Sequence, residues 1–93
     1  MAKLKDHPFW LGVWVSVGGS APNAGEIRQD GVFETCSLSS KGLQIVVDYK
    51  GQTVSVFISF EQAGDLDLTK LRDLLLLYKG QPMRVVEDLE IDS

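Results

Sequence analysis

Residues 43–60, LQIVVDYKGQTVSVFISF, constrain the fold more than any other stretch. Apolar and polar side chains alternate on both sides of a Lys50-Gly51 pair, the pattern of two half-buried strands joined by a tight turn. Leu43, Ile45, Val47 and Tyr49 share one face of the first strand, residues 43–50. Val54, Val56, Ile58 and Phe60 share one face of the second, residues 53–60, with Thr53, Ser55, Phe57 and Ser59 on the other. Gly51 supplies the positive φ that such a hairpin needs.

The neighbouring segments extend this reading. Residues 32–39, VFETCSLS, predict a strand with Val32, Glu34, Cys36 and Leu38 on one face and Phe33, Thr35, Ser37 and Ser39 on the other. Residues 9–17, FWLGVWVSV, predict a first strand: Phe9, Leu11, Val13, Val15 and Val17 alternate with Trp10, Gly12, Trp14 and Ser16. Between Asp67 and Gly80, LTKLRDLLLLYK has helical periodicity, and Leu68, Leu71, Leu74, Leu75 and Tyr78 gather on one side. Asp67 is a good N-cap and Gly80 a good terminator. Residues 82–91 read as one helical turn begun at Pro82, followed by a short extended end, with a fully extended segment as the alternative.

The expected fold is therefore α+β: an antiparallel four-stranded sheet, five-stranded if the C-terminal segment is extended, with one main helix packed on one face. The order is β-β-β-β-α, then the short C-terminal segment. Ninety-three residues predict a single domain spanning 1–93, with a long loop at 18–31.

That loop, GGSAPNAGEIRQDG, holds four of the nine glycines. It does not have the chemistry of a phosphate site. A Walker loop ends in Gly-Lys-Ser/Thr, whereas Gly25 is followed by Glu26-Ile27-Arg28. The glycine spacing also misses the dinucleotide fingerprint, and Glu26 and Asp30 would repel phosphate. A basic start, MAKLK, and the apolar run after it have the order of a signal peptide. Asp6, His7-Pro8, Gly12 and two tryptophans break that pattern, so the expected location is cytoplasmic. The run is too short to cross a bilayer, which takes about 20 apolar residues.

Charge is uneven. Residues 1–60 carry five Lys/Arg and five Asp/Glu, and residues 61–93 carry four and eight. The net charge of −4 therefore lies in the last third, which speaks against nucleic acid and for a basic partner. One Cys and one His exclude a disulfide within the chain and a Cys/His zinc cluster. Cys36 reads as a part-buried hydrophobe, and a Cys36–His7 nucleophilic pair has no supporting signature. Glu34 and Asp48 fall in strands, but an acid/base pair needs a cleft and separated pKa values. No catalytic residue, cofactor site or metal site is expected.

Two surfaces remain as candidates. By strand alternation the sheet face away from the helix collects Trp10, Trp14, Phe33 and Phe57, and aromatic patches mark contacts. On the back of the helix, Leu76 and Leu77 lie among Thr69, Lys70, Arg72 and Asp73. The expected function is a small acidic, non-enzymatic protein-interaction module of the inhibitor, immunity or adaptor type. Its partner is another protein or a second copy, the latter giving a homodimer through the aromatic face. The alternative is a carbohydrate- or nucleotide-binding domain that uses the Trp-bearing face and the long loop.

Overall fold

The hairpin forms as its alternation requires. In the computed structural model, which describes residues 2–8, 10–11 and 24–91, strand β3 (Gly42–Tyr49) pairs antiparallel with β4 (Gln52–Ser59). Lys50 and Gly51 take φ values of 51° and 82°, the pair of left-handed residues that matches the twist of the two strands. Leu43, Ile45, Val47, Tyr49, Val56 and Ile58 are buried on one face. Strand β2 (Val32–Leu38) adds to the other side of β3, giving the order β2-β3-β4.

The three-stranded antiparallel sheet and several helices make the chain α+β. The longest helix among the described residues, α3 (Leu68–Leu76), packs on β2 and β3. Asp67 caps it: its carboxylate accepts the Thr69 N–H at 2.9 Å and the Lys70 N–H at 3.3 Å. Leu68, Leu71 and Leu75 are buried, and Leu74 and Tyr78 half-buried, as the periodicity predicts. Helix α2 (Phe60–Ala63) ends β4, and Ser59 with Gln62 forms a capping box at its start. The C-terminal segment is the helical turn followed by an extended end: α4 (Met83–Glu87), then β5 (Glu90–Ile91). Strand β5 stays outside the main sheet and pairs with β1 (Ala2–Lys3).

Three expectations need correction. The strand over 9–17 does not form at its start: Trp10 and Leu11 are helical, and both donate their N–H to the His7 carbonyl. Phe9 and residues 12–17 lie outside the described residues, so the sheet described has three strands and not four. The loop at 18–31 contains helix α1 (Ala24–Asp30), while 18–23 lie outside the described residues. This helix is held from outside itself. Ile27 is buried, Glu26 accepts the Tyr49 hydroxyl at 2.8 Å, and Arg28 pairs with Glu87 at 3.0 Å. Gly31 follows with its N–H on the Ile27 carbonyl. A Cβ there would meet that carbonyl at 2.5 Å and the Val47 side chain at 2.9 Å, so the chain can pass only as glycine.

The third correction concerns β2. Phe33 pairs with Val47, but the next pair is Thr35 with Val46, so Glu34 is an extra residue in the strand. Such a bulge shifts the side-chain alternation by one. Phe33 and Cys36 consequently both face the core, where strict alternation puts them on opposite faces.

Candidate functional site

The six candidate residues divide three ways. Trp10 and Phe33 have no exposed surface. Trp14 lies outside the described residues. Phe57, Leu76 and Leu77 are exposed. The aromatic sheet face therefore reduces, among the described residues, to Phe57. Its cross-strand row is Ser37–Gln44–Phe57, and the next row is Thr35–Val46–Ser55. Leu76 and Leu77 sit at the end of α3, on the opposite side of the sheet from Phe57, so the structure does not join them into one patch.

Among the described residues Leu77 is the most exposed of the large apolar side chains, at 78 %, and Leu76 beside it is at 40 %. Residues 77–80 form turns that lead back to the edge of β2. The pair therefore projects from a helix end that is anchored on both sides: Leu75 in the core before it, the Gly80 N–H on the Phe33 carbonyl after it.

A cleft lies between α1, α4 and the 3-10 turn Leu4–Asp6 and is lined by Lys5, Arg28, Asp30, Arg84, Glu87 and Asp88. It mixes both signs and is internally paired: Lys5 with Asp88 at 3.1 Å, Arg28 with Glu87 at 3.0 Å. At its base, burial pushes the Glu87 carboxyl above the ordinary carboxylate range, against the opposing pull of Arg28 and a hydrogen bond from the Trp10 indole. Sequence reading missed this arrangement. Arg28 stands in a stretch read as loop, and nothing in the spacing of Trp10, Arg28 and Glu87 marks them as neighbours.

The other reactive groups are quiet. Cys36 is buried, its thiol donates towards the Arg72 carbonyl at 3.7 Å, and burial pushes its pKa up to about 11. A thiol of that pKa is a poor nucleophile near neutral pH. Desolvation holds His7 below its usual value. Glu34 and Asp48 line a shallow groove with Lys79 beside β2. Among the described residues no three of His, Cys, Asp and Glu come together as a metal site, and no helix is long and apolar enough to cross a membrane. Compared with protein-family models, with curated proteins and with solved structures, the chain matches none.

Proposed function

We propose that the chain is a non-catalytic protein-interaction module whose contact surface is the Leu76–Leu77 end of α3. The observation that carries this reading is Leu77 itself, 78 % exposed on a well-anchored helix end. Its exposure serves no packing within the described residues. Covering a leucine of this kind is worth roughly 1.5–3 kcal/mol, enough to make it the anchor of a contact. The acidic last third of the chain suits a basic surface around an apolar pocket on the partner. An inhibitor, an immunity partner or an adaptor working in the cytoplasm fits this description. The small-ligand alternative draws less support, because Trp10 is enclosed in the core.

The test compares affinity capture by the wild-type chain and by a Leu76→Ser/Leu77→Ser double variant. The expected result is a protein retained by the wild type and lost at least about tenfold by the variant, a difference of about 1.4 kcal/mol, with the thermal midpoint unchanged. Equal recovery of every retained protein by both chains overturns the proposal.

A further inference from the structure

The two edges of the sheet are built differently. The edge of β2 is closed by several devices. It carries a bulge and a charged residue, Glu34, and it is covered by the segment after α3. The Phe33 N–H donates to Gln81, the Gly80 N–H donates to Phe33, and Val32 bridges Pro82. These are the standard ways to stop an edge from pairing with another chain. Among the described residues the edge of β4 has none of them. QTVSVFIS contains no charge and no proline, keeps perfect register with β3, and has no pairing on its outer side among the described residues.

The direction of its free groups follows from the turn. A two-residue hairpin closes on a hydrogen-bonded pair, here Tyr49–Gln52, and bonded pairs then alternate along the ladder. Thr53, Ser55, Phe57 and Ser59 therefore direct their N–H and C=O away from β3. The Ser59 N–H is taken by the Gln62 side chain at 3.0 Å. Among the described residues, Thr53, Ser55 and Phe57 remain without a main-chain partner on this side, and all three are exposed.

We infer that this edge pairs with the same edge of a second copy, joining two three-stranded sheets into one across a twofold axis at Ser55. In that register Ser55 faces Ser55, Thr53 faces Phe57, and all three residues exchange both main-chain bonds with the second copy. Charge selects a second copy as the occupant. Twofold pairing sets every residue near the axis against itself or a close neighbour, which a charged strand does not tolerate. β4 is neutral within a chain of net charge −4, whereas β2 carries Glu34 and β3 carries Asp48. Lys50 stands in the turn before the strand and Glu61 in helix α2 after it, so antiparallel pairing sets opposite charges at each end of the joint. Phe57 and Phe60 are 48 % and 46 % exposed in the single chain and stand at this edge. The contact is independent of the Leu76–Leu77 surface.

The experiment is light scattering after size exclusion, from about 1 µM to about 1 mM protein, the range that brackets modest affinities. Wild type is expected to reach twice the 10.3 kDa chain mass. Ser55→Lys and Ser55→Glu are each expected to stay at the single-chain mass, since each sets like charges across the axis. Their equimolar mixture is expected to recover the doubled mass, which only pairing of position 55 with itself explains. Ser55→Pro, which removes an outward N–H and leaves the β3 ladder intact, is a second variant should a charged one fail to fold; it too stays at the single mass. A wild-type chain that remains at 10.3 kDa throughout overturns the inference, as does a doubled mass in the single-charge variants or a mixture that does not recover it. Slow hydrogen exchange at Thr53, Ser55 and Phe57 in a chain of single mass has the same consequence, because the edge is then covered by its own chain.

Discussion

Glu87 shows what a single side chain can do to the pH response of this fold. Its carboxyl is mostly buried, with burial raising its pKa more than Arg28 and the Trp10 indole lower it. The folded chain therefore holds a proton on Glu87 at pH values where the unfolded chain has lost it. Folding is favoured while the group is protonated in both states. That advantage is lost as pH rises from the unfolded value near 4.5 through the raised folded value. Glu87→Gln removes the titration and leaves a neutral side chain of nearly the same shape. Urea denaturation of both chains at pH 4 and pH 7 should show the wild type losing stability relative to Glu87→Gln as pH rises. A carboxylate held mainly by its ion pair would give the opposite sign, so a wild-type gain on going to pH 7 would refute this account.

At the scale of elements, legibility followed whether a segment carries its own reason to fold. Helix α3 does: its period puts Leu68, Leu71 and Leu75 on one side, and Asp67 closes its first turn. Asp67→Ala should therefore lower stability by about 1 kcal/mol, read as a shift in the urea midpoint with the slope unchanged. Asp67→Ser should recover most of it. The β3–β4 hairpin was legible for the same reason, as alternation and a Lys50-Gly51 turn agree. Helix α1 was not. AGEIRQD has one large apolar side chain, Ile27, so it has no period to see, and its partners Tyr49 and Glu87 are far away in the chain. In β2 a single extra residue at Glu34 turned Phe33 inward, and no local signal marks a bulge. Trp10 misled differently. A β-branched and aromatic run favours a strand, but Trp10 reaches its place in the core from a helical turn. The exposed leucines were legible because they break an otherwise amphipathic pattern. The aromatic face was not, because it needed Trp10 and Phe33 to keep strict alternation.

The molecule as a whole is held together by contacts between residues distant in sequence. The pairing of Ala2 with Ile91 and Lys3 with Glu90 lays the two terminal strands side by side, and the Leu4 N–H donates to the Leu89 carbonyl at 2.9 Å. Leu4 enters the core completely, while Lys5, next to it, reaches across the surface to Asp88 with both side chains about half exposed. These two adjacent residues should behave very differently. A domain of this size has a total stability of about 5–14 kcal/mol. Leu4→Ala leaves a cavity among Leu4's core neighbours and should cost about 3 kcal/mol, a large fraction of that total. Lys5→Ala removes an ion pair that water already screens, and it should leave the unfolding midpoint where it was. Thermal and urea unfolding of the two variants side by side checks both. If the Lys5→Ala chain lost as much stability as the Leu4→Ala chain, the β1–β5 closure would be held by surface charge, and the core would end short of Leu4.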